Sequence, residues 1–426
     1  MISAARADNL KVLSRSAADR HALDHPATSS SRPAVVADLP LSSGSWKLGA
    51  YRDFDSIEAQ WRCLEQRAVG YPFQEFDWLK NWHQQIGRPS GAEPFILTVA
   101  DASGRLSMIL PLVIERALGQ NRLAPMGDPV CDYHGPLITP AFAALLDRRA
   151  IHLLLERAVK LAGVNYVLLT RIPPQLGAIA NPFANLDLHP FSASAHATSL
   201  GDDWESFYAS RRSTKTRRRF REKEKALAKL GPIRFDIVTD PAERKALAAE
   251  MMTLKASQLQ ATAGEYNTFA HPFVQNFFRK VAGDSAVADV FMFKLTVGET
   301  LAAAAVGLVK DGSFFYEVPV YPDCGLQRYS PGNLLLHKIM AWAIDRGCTR
   351  FDFTIGDEPY KLDWCEQTWH LGCGAWGNGL AGRVGAQMAL GEIALKRHVK
   401  HNPRLLAAAV RLRNVWGRLR SPRHAS

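Results

Sequence analysis

Nowhere does this 426-residue chain run apolar for the roughly 20 residues a membrane-spanning helix needs, and its N-terminus lacks the apolar core of a secretory signal. Cysteine is sparse. The six (Cys63, Cys131, Cys324, Cys348, Cys365, Cys373) are scattered and form no C-x-x-C pair. Their spacing argues against a disulfide scaffold and a structural zinc site, and points to reduced thiols in a cytoplasmic setting. "CDYH" (131–134) and "CEQTWHLGC" (365–373) bring Cys and His close, but both read as buried thiols and loop histidines, so no metal is expected. There is no G-x-x-x-x-G-K-[ST] phosphate loop and no G-x-S-x-G nucleophile elbow. "GCGAWG" (372–377) fits G-x-G-x-x-G, yet the chain after it is helical and basic with no second strand. It reads as a glycine-rich turn.

What is present is an ordinary globular composition, 47% hydrophobic and 22% charged, on a chain long enough for two to three domains. The formal net charge of +11 favours anionic partners. Basic charge is densest in "SRRSTKTRRRFREKEKALAKLG" (210–231), with nine Lys/Arg and two Glu between Arg211 and Lys225. At helical spacing Phe220, Leu227 and Leu230 fall near one face. Leu230-Gly231-Pro232 ends the helix and launches a strand, "IRFDIV". Two readings stay open for the basic face. It is a solvated surface in which Glu222 and Glu224 neighbour Lys223 and Lys225, or a wall for a phosphate-bearing or acidic acceptor contacted by Arg218 and Arg219. No helix-turn-helix or zinc finger accompanies it, so specific DNA binding is not expected.

Residues 1–45 show no sustained periodicity and are expected to form a disordered tail. Two later regions repeat a pattern. "PFILTVADASGRLSMILPLVIE" (94–115) and "VFMFKLTVGETLAAAAVGLVKDGSFFYEVPVY" (290–321) both read as strands joined by Gly-containing turns. Each is followed by a helix and a continuous apolar strand: "AIHLLLERAVKLAG" and "VNYVLLTRI" in the first half, "GNLLLHKIMAWAIDRG" and "TRFDFTIG" in the second. The offset is roughly 190 residues. We read a duplicated α/β (α+β) domain, against the alternative of chance likeness, with expected domains at 46–200 and 201–380. The remainder, 381–426, carries ten Lys/Arg against the single acid Glu392. Such a basic amphipathic helix is either a helical tail packed by its Leu/Ala face or a peripheral contact with an anionic membrane.

Chemistry concentrates between Tyr316 and Trp364. An apolar strand ends near Tyr321, a turn follows, and "QRYSPGN" opens a helix. Ser330 fits an N-cap and Pro331 the first helical position. Gly332 allows close approach to backbone N–H groups at the positive helix end, which suits a pyrophosphate, with Gln327 and Arg328 as flanking donors. His337 is read as sitting at a helix boundary beside the core residues Leu334–Leu336, with a role as base the alternative. The next strand, "RFDFTIG", breaks at Gly356. Asp352 alternates with Phe351 and Phe353 and so points to the opposite face. Asp357, Glu358, Tyr360 and Lys361 cluster at the strand's C-terminal end, where open α/β sheets bind ligands.

The order of hairpin, "YEVPVY" strand, "QRYSPGNLLL" helix and "FDFTIGDEPYKLDW" strand resembles the acetyltransferase family named for cellulose biosynthesis (CelD/BcsL), of the GNAT superfamily and related to Fem-type peptidyltransferases. The Arg-rich helix ending in "LAKLGPIRF" belongs to the same resemblance, which spans roughly Trp46 to Gly379 and is most specific over Arg328–Trp364. It implies tandem GNAT-like domains, each a mixed sheet flanked by helices. It also implies transfer of an acyl group, acetyl first, from acetyl-CoA or another acyl-CoA to an amine or hydroxyl, in the setting of exopolysaccharide or cell-envelope biosynthesis. In the superfamily's Q/R-x-x-G-x-G/A loop, Gly332 takes the first Gly, Tyr329 the leading position and Leu334 the last, with Ser330 and Asn333 between. The first half shows no such loop near "YHGPLITP", so one cofactor site is expected, in the second half.

Acyl transfer needs a base, an oxyanion donor and protonation of the leaving thiolate. The expected base is Glu317, with Asp357 second. Backbone N–H groups of Val318–Val320 are the expected oxyanion donors, Tyr360 the proton source, and Lys361 and Asp352 acceptor contacts. The acceptor is expected to be a small molecule or glycan, and an anionic one in view of the surrounding basic charge. Two other functions stay open: a Fem-type transferase using aminoacyl-tRNA, against which the short helical room at Pro241–Ala282 weighs, and a non-catalytic scaffold of a polysaccharide system. A cytoplasmic location, with a peripheral position at the inner membrane face, completes the expectation.

Overall fold

Paired hairpins set the frame of the computed structural model, which describes residues 35–41, 44–263, 267–284, 287, 289–402 and 405. The strands are β1 (Val35–Pro40), β2 (Ser45–Tyr51), β3 (Glu93–Ala100), β4 (Leu106–Ala117), β5 (Gln120–Pro125), β6 (Leu137–Ile138), β7 (Tyr166–Ile172), β8 (Gln175–Leu176), β9 (Ile179–Ala180) and β10 (His189–Ser199). They continue as β11 (Ile233–Ile237), β12 (Val290–Val297), β13 (Thr300–Lys310), β14 (Ser313–Tyr316), β15 (Arg350–Ile355) and β16 (Gln367–Gly377). The helices used below are α1 (Glu58–Glu65), α2 (Phe76–Trp82), α3 (Arg148–Ala162), α4 (Trp204–Arg211) and α5 (Thr214–Ala228). After them come α6 (Pro241–Ala263), α7 (Pro272–Gly283), α8 (Pro331–Asp345) and α9 (Gly379–His401).

Two compact units divide the chain. The first takes the described residues through Ser194, those of 262–268, and again those from Trp369; the second takes Ala195–Ala261 and Phe269–Thr368. The expected boundaries at 46, 201 and 381 therefore shift. Val35–Pro40, inside the stretch read as tail, is a strand paired antiparallel to β2, while residues 1–34 lie outside those described. The basic C-terminal helix packs within the first unit. The segment read as one short helical stretch at Pro241–Ala282 is two helices, α6 and α7.

In the first unit the strand order is β1-β2-β3-β4-β5-β7-β16. All neighbours are antiparallel except β5 and β7, which run parallel because α3 carries the chain across between them. The sequence explains α3. Ile151, Leu154, Leu155, Ala158 and Val159 make its buried stripe, the Asp147 carboxylate caps its N-terminus by accepting from Ala150 N (2.7 Å), and Gly163 ends it in the left-handed conformation. "GCGAWG" is not a turn. It lies in β16, with Gly372, Gly374 and Gly377 opposite Ile172, Leu169 and Tyr166 of β7. A Cβ on Gly377 would stand 2.1 Å from the Gly382 carbonyl oxygen, and one on Gly382 2.1 Å from that of Asn165, so glycine is what lets α9 lie against the sheet. Ala386 and Ala389 of α9 then pack on Tyr166 and Leu168.

The second unit repeats the plan. Its order is β10-β15-β14-β13-β12-β11, antiparallel except for the parallel pair β14 and β15, again bridged by a helix, α8. The penultimate residues of the corresponding strands, Arg171 in β7 and Thr354 in β15, both hold positive φ (52° and 58°). Neither is glycine, and a β-branched residue there is strained. The same irregularity at the same place in both halves supports the duplication read from the sequence. The core of this unit joins Phe293, Leu295, Phe314, Leu335, Ile339, Met340, Phe351 and Phe353 with the rings of Phe207, Tyr208 and Trp364.

Candidate functional site

Consider how β14 ends. Tyr316 pairs with Gly307 of β13, but the next two residues both face Val306: Glu317 N donates to Val306 O (2.9 Å), and Val306 N donates to Val318 O (3.4 Å). Pairing resumes when Val320 and Ala304 exchange bonds (2.8 and 2.9 Å). This is a β-bulge, which bends the strand and re-aims its groups. Meanwhile β15 accompanies β14 only from Ser313 to Phe315, opposite Arg350 to Asp352, and the two strands then part. Among the described residues the Val318 N–H makes no backbone hydrogen bond. Of the donors expected at Val318–Val320, Val320 is committed to Ala304 and Pro319 has no N–H, leaving Val318. The Pro319 carbonyl is held by Lys255 Nζ (2.9 Å) and that of Tyr321 by Gln258 Nε2 (2.6 Å), both from α6.

Tyr321, where this segment ends, faces the N-terminus of α8 across Gly332. Ser330 occupies the N-cap position, but in the left-handed conformation (φ 58°) and without a side-chain cap. Its hydroxyl accepts from Lys223 Nζ (2.6 Å), across from α5. Asn333 N and Leu334 N both donate to Ser330 O, while the Gly332 N–H has no backbone acceptor among the described residues. A Cβ on Gly332 would lie 3.3 Å from the Tyr321 ring, so its absence keeps the helix start open. An uncapped helix start with an ammonium beside it is a candidate anion site. Burial, then the Arg219 charge, lowers the pKa of Lys223. The corresponding helix of the first unit, α3, is closed by its own Asp147 carboxylate. Gln327 and Arg328 do not reach the helix start. Gln327 Nε2 donates to Pro322 O (3.0 Å) and Asp323 Oδ1 (2.6 Å), and Arg328 lies 4.7 Å over the Tyr329 ring.

The far end of β15 carries buried charge. Asp352 does not present its carboxylate for an acceptor. It is fully buried and accepts the Thr354 N–H (2.8 Å), pinning the strained residue in a local turn, with Arg350 3.7 Å away. Lys361 is 2% exposed, and its ammonium serves internal oxygens: Ile355 O at 3.1 Å, Thr354 O at 3.5 Å and the Glu358 carboxylate at 3.0 Å. It clamps the strand end instead of standing free for an anionic acceptor. Asp357 is 40% exposed with His196 Nε2 at 3.7 Å, whereas Glu317 is 3% exposed. The Tyr360 phenol is pushed well above its ordinary range by burial, and further by Tyr316, so it stays protonated.

The basic run divides among four tasks that sequence alone does not separate. Arg211 pairs with Glu366 (2.7 Å); Arg212 pairs with Asp363 (2.9 Å) and lies over the Trp364 ring. Arg217 and Arg221 face a cavity between α4, α5 and α8. Lys223 reaches Ser330 at the start of α8, and Arg219 stands one turn before it on α5. Arg218, expected to touch substrate, points to solvent and pairs with Glu222 (3.2 Å). The run is broken at Arg212-Ser213 into α4 and α5, and Leu230 lies beyond the helix and is exposed, so Phe220 and Leu227 alone hold the packed face. Among the described residues no group of three or more His, Cys, Asp or Glu is placed to hold a metal ion, and no helix is long and apolar enough to cross a membrane.

Comparison with known proteins agrees with this architecture. Residues 214–362 match the family described as Acetyltransferase (GNAT) domain. The crystal structure of FemX superposes with a TM-score of 0.54 at 10% identity, covering 79% of this chain and 98% of that one. L-PGS from Bacillus licheniformis gives 0.48 at 13% identity over 80% and 97% of the two chains. A tandem GNAT protein from the clavulanic acid biosynthesis pathway gives 0.43 at 12% identity over 79% and 100%. None of the curated proteins compared with the chain matches it. The fold is that of tandem GNAT-like domains, and the GNAT match lies in the second unit apart from 262–268.

Proposed function

We propose that the second unit transfers an acyl group, acetyl first, from an acyl-CoA thioester to an amine or hydroxyl of an anionic acceptor. The observation that carries this reading is the bulge at Glu317–Val318 beside the uncapped start of α8. It supplies a free N–H in the strand gap next to a built anion site, the two features an acyl-CoA requires. When bound, the thioester supplies an activated carbonyl whose C–S bond breaks as the new C–N or C–O bond forms.

The chain's own groups have these roles. Gly332 N–H and Lys223 hold the pyrophosphate, with Arg219 adding charge. Val318 N–H donates to the carbonyl oxygen as negative charge develops there, where a preorganised donor in a water-poor site counts most. Glu317 takes the acceptor's proton; buried in the bulge, it is better shielded from water than Asp357. Tyr360 carries the proton that the departing sulfur needs, and lies near Tyr316, next in sequence to Glu317. Lys361 and Asp352 position the end of β15. An acceptor bearing phosphate or carboxylate, a small molecule or glycan, matches the exposed basic residues of α5.

Release of free thiol from acetyl-CoA and from longer acyl-CoAs, measured with the full chain and a panel of amine and hydroxyl acceptors, tests the activity. Glu317→Gln should lower turnover by roughly 100-fold or more while leaving acetyl-CoA affinity within about twofold. Wild-type turnover in that variant removes Glu317 as the base. Binding of an aminoacyl-tRNA with no binding of any acyl-CoA removes the acyl-CoA reading itself.

A further inference from the structure

Between α4, α5 and α8 lies a cavity of about 340 Å³, lined by Trp204, Tyr208, Phe220 and His337, with Arg217 and Arg221 at its rim. Its walls are flat rings. Trp204 and Tyr208 stack at 4.8 Å, and His337 is ringed by Phe220 (4.9 Å), Tyr208 (5.0 Å) and Trp364 (5.2 Å). Two polar atoms of this wall, Tyr208 Oη and His337 Nε2, have no partner among the described residues, although both side chains are more than nine-tenths buried. Such groups are rare in folded proteins, because each buried without a bond loses its hydration uncompensated. Burial holds His337 neutral, so its Nε2 can meet a neutral polar partner. Of the rim's other charged groups, Glu224 is met by Lys338 (3.5 Å) and Glu205 adds one carboxylate, so Arg217 and Arg221 carry the cationic character.

The cavity continues from the anion site. Tyr329, Leu334, Lys338 and Ala341 line it, so it begins beside the first turn of α8 and follows that helix's outer face. We infer that it takes a purine nucleoside phosphate: a flat heteroaromatic base between the rings, bonded by Tyr208 and His337, with phosphate on Arg217 and Arg221. Given the acyl-CoA reading, on which this assignment of source rests, the ligand is the 3′-phosphoadenosine end of CoA, whose pyrophosphate sits at Gly332.

Calorimetry on the full chain with acetyl-CoA, acetyl-pantetheine and adenosine 3′,5′-bisphosphate tests it. The bisphosphate should bind and compete with acetyl-CoA. Replacing both arginines (Arg217→Ala with Arg221→Ala) should weaken both nucleotide ligands roughly tenfold or more, as loss of charge-assisted bonds does, and leave acetyl-pantetheine unchanged. Tyr208→Phe, which keeps the ring packing, should weaken both to a smaller degree with an unaltered melting temperature. Acetyl-CoA binding that neither change disturbs, or that the bisphosphate does not displace, overturns the inference and spares the acyl-CoA reading. Bisphosphate binding that is sensitive to both changes, with no affinity for acetyl-CoA, keeps the nucleotide cavity and sinks that reading.

A separate observation concerns α9. Leu380, Val384, Met388 and Leu395 repeat at helical spacing on the side opposite the packed Ala386 and Ala389, and are 81, 48, 52 and 64% exposed. Arg383 lies at one edge of the stripe, and at the other the only acid of the helix, Glu392, is already paired with Lys396 (3.2 Å). An exposed apolar stripe edged by cations matches an anionic lipid surface. We propose that α9 docks there. The full chain should co-sediment with phosphatidylcholine vesicles containing 30 mol% phosphatidylglycerol and not with phosphatidylcholine alone, and Leu380→Ser with Met388→Ser should release most of it without lowering the melting temperature. Absence of sedimentation, or concentration-dependent dimerisation abolished by the same pair of changes, overturns it.

Discussion

Burial separates otherwise similar side chains. Glu317 and Asp357 are equivalent on paper as bases, but one lies inside a bulge and the other is 40% exposed, and the proposed role goes to the first on that difference. The clearest pH prediction comes from histidines. Burial lowers His337 to about 3 and His83 and His134 to about 4, from 6.5. Unfolded, these rings take up protons as pH falls through 6.5; folded, they resist until near 4. The histidine contribution to stability should therefore be flat above pH 7.5, fall from 6.5 to about 4 for all three rings, and go on falling to about 3 for His337. The loss is on the order of a few kcal/mol per ring. Urea midpoints across that range check it, and His337→Phe should flatten the acid limb. A midpoint unchanged from pH 7.5 to 4.5 contradicts the assignment. Lys361→Met strips the buried Glu358 carboxylate of its ammonium and should destabilise by about 3–5 kcal/mol, with Tm as the readout. Sequence placed Glu317, Gly332 and Tyr360 near one mouth, because all three lie at element ends. It could not tell Lys223 from Arg218, or find Lys255, since those depend on which helix face meets which loop.

Helices and strands were more legible than the residues on them. Both hairpin–helix–strand units follow from period-2 runs, turn glycines and the 3.6-residue stripes of α3 and α8. The bulge was not legible, because one extra residue in β14 leaves no compositional trace. "GCGAWG" misled because glycine marks turns and close packing alike. Two substitutions in α9 separate those uses. Gly382→Ala, whose Cβ would meet a fixed backbone oxygen, should cost about 1–3 kcal/mol, whereas Gly391→Ala, with open space around it, should gain up to about 1 kcal/mol from helix propensity. Equal effects on Tm would contradict the packing account. The helix starts form another contrast. Asp147→Ala removes a cap from α3 and should destabilise by about 1 kcal/mol, while Ser330→Ala removes none and should alter ligand affinity instead.

Over the whole molecule, duplication explains why one unit is expected to react and the other not. Each has the same parallel pair and the same positive-φ residue near the end of the strand after its crossover helix. They differ at the start of that helix, where Asp147 closes α3 while α8 is open and faced by Lys223. The most direct measurement is hydrogen–deuterium exchange of the full chain with and without acetyl-CoA. Protection should appear over Glu317–Leu334 and along Arg217–Lys223, with none at Asp147–Leu154 of the first unit. No protection, or protection confined to the first unit, would contradict a single acyl-CoA site built on the bulge and the open helix start.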